Sequence, residues 1–92
     1  MDVKHLNRLA KQVVDRVQQQ AGVPCLQFSV WRRGIADPDA YLGTGRICQE
    51  DQRDHTFELS PNQLLDLLAQ SEDQVVRALE TLLTAQAQRV SR

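Results

Sequence analysis

The apolar residues near the start of the chain recur every three or four positions, as they do on one face of a helix. This stripe consists of Val3, Leu6, Ala10, Val13 and Val17. Asp2 is a favourable residue to cap the start of such a helix, and Gly22 followed by Pro24 marks its end. We therefore predict a helix over residues 1–22.

From residue 25 the period of the pattern changes to two, which is typical of half-buried strands. Leu26, Phe28 and Val30, for example, alternate with polar residues. The predicted strands begin at Cys25, Tyr41 and His55 and end near Trp31, Cys48 and Leu59. A loop over residues 32–40 and a polar run over residues 49–54 connect them. Connections this short favour antiparallel neighbours, so residues 25–59 predict a three-stranded meander.

Gly43 and Gly45 fall on one face of the second predicted strand. Glycine inside a strand indicates a bulge or a close backbone approach. The segment around them is too short for the glycine motifs that bind phosphate and does not open a helix, so we interpret it as a strand irregularity.

Two short helices with start signals occupy residues 60–88. Ser60 precedes Gln63, and Ser71 precedes Gln74, by the three positions that a capping box requires. Pro61 suits the first helical position, where its missing N–H costs nothing. The predicted helices, residues 61–69 and 72–88, form a hairpin. The chain therefore reads α-β-β-β-α-α, a single α+β domain over residues 1–92 with an N-terminal helix, a meander and a C-terminal helical hairpin.

The composition is that of a globular domain and excludes several function classes. Apolar residues make up 41% and charged residues 25% of the 92 positions, unlike a disordered chain. The net charge of −1 argues against general nucleic-acid binding, which depends on clustered Lys and Arg. No apolar run approaches the roughly 20 residues of a membrane span. We expect a cytoplasmic protein without a membrane partner.

Two cysteines are too few for a disulfide scaffold, and both fall on predicted strands. The sequence favours reduced, partly buried thiols; the alternative is a close approach of Cys25 and Cys48 if their strands pair. With His5 and His55 they match no familiar metal spacing, so we expect no metal and no cofactor. Catalysis would have to use Cys25 or Cys48 with His55, which is weak support, and we expect no enzyme activity.

The 3.5-residue spacing of the first stripe has two interpretations. A helix that faces its own core and a helix that pairs across a dimer would both show it. The last predicted helix adds a wide apolar arc, formed by Val75, Val76, Leu79, Leu82 and Leu83. Burial of surplus apolar surface favours association of small chains, so we predict a homodimer.

Trp31, Arg32 and Arg33, with Tyr41 across the loop, form the densest group of residue types found in binding hot spots. The alternative is a tryptophan that covers the sheet edge beside solvated arginines. On this group we predict a small non-catalytic protein that binds another protein, as an adaptor, regulator or inhibitor.

Residues 63–85 place a Leu-rich helix, a Ser-initiated turn and a helix with Val75, Leu79 and Leu82 in direct succession. This arrangement resembles the helix-turn-helix half of bacterial winged-helix regulators. The resemblance implies DNA binding by the second helix, with Ser71, Gln74 and Arg77 contacting bases and phosphates. A DNA-binding transcriptional regulator is therefore the alternative function.

Overall fold

The computed structural model describes residues 1–32, 41–50 and 53–90. Its elements follow the predicted order. They are α1 (Val3–Ala21), β1 (Cys25–Arg32), β2 (Tyr41–Cys48), β3 (Asp54–Leu59), α2 (Pro61–Leu68) and α3 (Glu72–Val90). The α+β class and the α-β-β-β-α-α order are thus confirmed. The predicted loop over residues 32–40 lies, apart from Arg32, outside the described residues.

The three strands form one antiparallel sheet with β2 in the centre. Its register is regular along both pairs, so the bulge expected at Gly43 and Gly45 is absent from these strands. The close approach expected there is present. The Phe57 ring lies over Gly45, where a Cβ atom would overlap it, and a Cβ at Gly43 would lie 3.2 Å from Leu64. The glycines therefore make room for side chains that cover the middle of the sheet.

All three helices lie on one side of the sheet, which we call the helix face. Alternation assigns to it the side chains of Leu26, Phe28, Val30, Gly43, Gly45, Ile47, His55, Phe57 and Leu59. α1 packs on β1 and α3, and α2 packs on β2 and α3. Because one face is buried and the other is polar, the pleat fixes which residues enter the core.

The first apolar stripe faces the core. Leu6, Ala10, Val13 and Val17 are buried, and Leu9 and Val14 widen the buried surface of α1. From α3 the core receives Val75, Leu79, Leu83 and Ala87. Of the arc predicted to serve both core and dimer, Val76 and Leu82 are only partly buried. Of the two interpretations of the α1 stripe, the structure therefore shows a helix that faces the core of its own chain.

The predicted start signals act as expected. The Asp2 side chain accepts a hydrogen bond from the His5 N–H, and Gly22 ends α1 with a left-handed conformation at φ 69°. Ser60 and Gln63 form a complete capping box at α2, with bonds of 2.9 and 3.2 Å. Satisfying these otherwise unpaired amides stabilises each helix by roughly 0.5–2 kcal/mol.

Candidate binding surface on the open face of the sheet

The side of the sheet opposite the helices is covered by no described element, and we call it the open face. Its side chains are those of Cys25, Gln27, Ser29, Trp31, Leu42, Thr44, Arg46, Cys48, Asp54, Thr56 and Glu58. Most of them are polar and exposed. The open face is thus a surface that the described part of the fold leaves without a packing layer.

The middle of the open face is a shallow trough of about 860 Å³. Two registered rows of polar side chains border it, Gln27–Arg46–Thr56 and Ser29–Thr44–Glu58. Between the rows lies the backbone of Phe28, Gly45 and Phe57, whose side chains point to the other face. The trough therefore offers hydroxyl, amide, guanidinium and carboxylate groups to a binding partner.

Trp31 lies beside this trough at the end of β1. Its side chain leaves the residue 46% exposed, more than any other large apolar residue of the described chain. In register it lies opposite Leu42, and its indole N–H makes a long, 3.5 Å hydrogen bond to the Thr44 hydroxyl. The ring thus lies across β2 on the open face. An exposed indole held by a neighbouring strand is a typical anchor for a binding partner.

Of the predicted group, Tyr41 lies on the side of the sheet opposite to Trp31. Tyr41 is partly buried and borders a small pocket with Met1, Val3 and Leu68, on the helix side of the sheet. Arg32 is the last residue of β1 and pairs with Tyr41. Arg33 lies outside the described residues. The open face therefore contains Trp31 but not Tyr41, because Tyr41 is one position out of phase with the residue that faces Trp31.

A disulfide closes the end of the open face farthest from Trp31. Cys25 pairs directly with Cys48 across β1 and β2, the two Cα atoms are 5.0 Å apart, and the sulfurs are bonded. The expectation of two reduced thiols is wrong for this structure. The antiparallel register places both side chains opposite each other on one face, at a separation that disulfide geometry accepts.

The charged residues of the open face are weakly paired. Arg46 lies 3.6 Å from Asp54 across β2 and β3, and both side chains are more than 40% exposed. An exposed pair at this distance stabilises the fold by at most about 1 kcal/mol. Both groups are therefore accessible to a partner, and so is the exposed carboxylate of Glu58.

The residues considered for catalysis are separated or already bonded. Cys25 and Cys48 are joined on the open face, whereas His55 lies on the helix face and hydrogen-bonds the Gln86 side chain at 2.9 Å. The other histidine, His5, contacts the Glu72 carboxylate at the start of α3. Within the described ranges, no three His, Cys, Asp or Glu side chains come together as a metal site would require.

The helix-turn-helix residues lie at the start of α3. Ser71 and Gln74 bond each other's backbone amides at 3.4 and 3.2 Å, so both side chains already cap the helix. Arg77 is exposed on the next turn, behind the two acidic residues that open α3. DNA binding by this helix stays a prediction, with only one of its three residues available for contact.

The polar rows of the trough were not predicted as a site, although the sequence contains their signal. Polar residues at alternate positions of all three strands mark a face that avoids the core.

Among the described helices, none has both the length and the apolar character needed to cross a bilayer. No protein-family model, curated protein or solved structure matches the chain.

Proposed function

We propose that this chain is a small non-catalytic protein that binds another protein through the open face, with Trp31 as its anchor, and acts as an adaptor, regulator or inhibitor. The observation that carries the proposal is the 46% exposure of Trp31 on a face that none of the described helices covers. Aromatic side chains of this kind dominate interface energetics, because one residue removes a large apolar area from water.

The surroundings of Trp31 support a protein partner. The trough beside it combines an apolar anchor with groups that donate and accept hydrogen bonds, which is the usual composition of a protein interface. Its charges include Arg46 as well as Glu58 and Asp54, so the face has no excess of positive charge for a nucleic acid. The disulfide fixes the far end of the same two strands, which reduces the ordering cost of binding.

The test uses two matched variants. Leu65 on α2 is 40% exposed, close to the value for Trp31, but lies outside the sheet. The partner is first isolated by co-purification from the native host and identified by mass. Trp31→Ala is expected to weaken its binding by at least about 30-fold, the effect of losing a hot spot worth about 2 kcal/mol. Leu65→Ala should bind as the unmodified chain does. Equal binding by Trp31→Ala would refute the proposal.

Intrinsic fluorescence gives a second readout without a label. Trp31 is the only tryptophan of the chain, so its emission reports on the proposed contact alone. Partner binding should shift this emission to shorter wavelength in a saturable titration with a tryptophan-free partner or fragment. An unchanged spectrum at saturation would place the contact elsewhere.

The location of the protein follows from the same reasoning. The sequence predicts the cytoplasm, but a structural disulfide persists mainly in oxidising compartments. We propose that the bonded form is the functional one and that the chain works where Cys25 and Cys48 stay oxidised. Trapping of free thiols in cells, before lysis, decides between the two: labelled cysteines would support the cytoplasm.

A further inference from the structure

The hydrogen bonds of Asn7 identify which backbone groups of the sheet point outward. Its side chain accepts from the Val30 N–H at 2.8 Å and donates to the Val30 carbonyl at 2.9 Å. Both backbone groups of Val30 therefore point to α1, away from β2. In an antiparallel ladder such outward-facing residues alternate with residues that bond the neighbouring strand. Ser29, one position earlier, thus bonds Thr44 of β2.

The same alternation can be followed across the sheet to β3. Since Thr44 bonds β1, its neighbour Gly45 directs its backbone groups to Phe57 of β3. The backbone N–H and C=O groups of Phe57 therefore bond β2. The N–H and C=O groups of Thr56 and Glu58 point the other way, to the outer edge of β3. Both residues are exposed, and no residue of the described ranges hydrogen-bonds these groups.

The two edges of the sheet are therefore different. α1 packs against β1, Asn7 occupies the outward groups of Val30, and Leu26 is 3% exposed. No described helix packs closely on β3. An edge strand with free backbone groups is a template for pairing with another strand. Among the described residues, no side chain bonds the outward groups of β3, whereas Asn7 blocks those of Val30 on the β1 edge.

The side chains of β3 favour one register with a second copy of the same strand. A two-fold axis at Phe57 places Thr56 opposite Glu58 of the second copy, and Glu58 opposite Thr56 of the second copy. These two pairs exchange about four backbone hydrogen bonds. Phe57 then lies opposite Phe57 of the second copy in the closer, non-hydrogen-bonded position, and each ring stays over Gly45 of its own chain.

The neighbouring register is disfavoured by charge. An axis at Thr56 would place Asp54 directly opposite Glu58 of the second copy, and like charges in cross-strand pairs are destabilising. The axis at Phe57 avoids this contact and leaves both carboxylates beside hydroxyl groups.

We propose that two copies of the chain pair along β3, with the two-fold axis at Phe57, and form one six-stranded antiparallel sheet. The occupant of this edge is a second copy rather than another protein, because the register that pairs it with itself satisfies both outward residues without a charge conflict. The contact is isologous and closes at two chains. The pairing uses the outward backbone groups of Thr56 and Glu58, whereas their side chains border the trough of the open face.

The test compares two substitutions at one position. Thr56→Pro removes an N–H that bonds nothing within the monomer, and proline is tolerated on a free strand edge. Thr56→Val keeps both the N–H and the β-branched shape. By light scattering, the unmodified chain and Thr56→Val should have about twice the 10.5 kDa chain mass. Thr56→Pro should have the mass of one chain, with an unchanged circular dichroism spectrum. A monomeric unmodified chain, or a dimeric Thr56→Pro, would overturn the proposal.

Amide exchange tests the register without relying on a variant that folds. Raising the concentration of the unmodified chain should slow exchange at Thr56 and Glu58 together. Exchange at Val30 should not respond in the same way, because its N–H is bonded to Asn7 within one chain. Rapid exchange at both β3 amides in a sample that is dimeric by mass would place the contact on another surface and refute the β3 pairing.

Discussion

Removal of the Asn7 side chain tests how α1 is fixed to the sheet. Asn7 is the only described side chain that bonds both backbone groups of a strand residue, Val30, at 2.8 and 2.9 Å. Val30 is 2% exposed, so water has little access to its N–H and C=O groups once the Asn7 side chain is removed. Asn7→Ala therefore leaves a buried donor and a buried acceptor unsatisfied while creating little empty space in the core.

The magnitude follows from these two groups. Each unsatisfied buried group costs about 1–3 kcal/mol. Alanine offsets roughly 0.5–0.7 kcal/mol of this cost, since it is the better helix former. We expect a net loss of about 1.5–5 kcal/mol, against a total of roughly 5–14 kcal/mol for a domain of this size. The melting temperature should fall by at least about 6 °C.

Urea unfolding monitored by circular dichroism measures the loss, with Gln12→Ala as the control. Gln12 is an exposed residue of α1 that takes no part in either cap of the helix, and its replacement should change stability by less than about 0.5 kcal/mol. Exchange at the Val30 amide should accelerate in Asn7→Ala. A loss below about 0.5 kcal/mol, with Val30 still protected, would refute the role assigned to this side chain.

Asn7→Asp adds a pH signature to the same test. The carboxylate still accepts from the Val30 N–H but faces the Val30 carbonyl without a proton to donate. Protonation restores a donor, so folding raises the pKa of the introduced carboxyl above its unfolded value. The resulting stability is present at low pH and is lost as the pH rises through the folded pKa. Unfolding experiments below and above about pH 4 should show that Asn7→Asp is more stable relative to Asn7→Ala at the lower pH. Parallel pH profiles of the two variants would contradict this prediction.

Three further outcomes follow from the fold. Replacing Cys25 and Cys48 by serine should cost about 2–4 kcal/mol in urea unfolding, since the bond closes a separation of 23 residues, and an equal midpoint would contradict a stabilising disulfide. Gly45→Ala forces its Cβ into the Phe57 ring and should cost at least about 1–3 kcal/mol by the same assay; unchanged stability would refute the close approach. Val13→Asp introduces an unpaired charge at a position with 0% exposure, so circular dichroism should show an unfolded chain instead of a folded monomer.

Local pattern predicted the elements well because each boundary depends on adjacent residues. The capping pair of Ser60 and Gln63 and the left-handed Gly22 act within one turn of their helix. The alternation of β1 likewise identifies its buried positions. These signals involve few residues, and nothing distant in the sequence has to be known to interpret them.

The candidate binding surface was predicted only in part because it depends on strand register. Trp31 faces Leu42 and not Tyr41, a difference of one residue that moves Tyr41 to the other side of the sheet. The same register brings Cys25 opposite Cys48. Neither pairing can be determined from the residues of one strand, since the length of the connection and its turn decide the phase.

The role of Asn7 had no signal in the hydrophobic pattern, where it reads as one polar residue beside the α1 stripe. It becomes important only when α1 lies against β1 and Val30 needs a partner. That contact also explains the asymmetry of the molecule. Because Asn7 blocks the β1 edge at Val30, we assign the proposed self-pairing to β3, while Trp31 is exposed on the adjacent face. Trp31→Ala leaves the β3 edge unchanged, and amide exchange at Thr56 and Glu58 reports on the β3 backbone rather than on the Thr56 side chain in the trough, so each proposal can fail without the other.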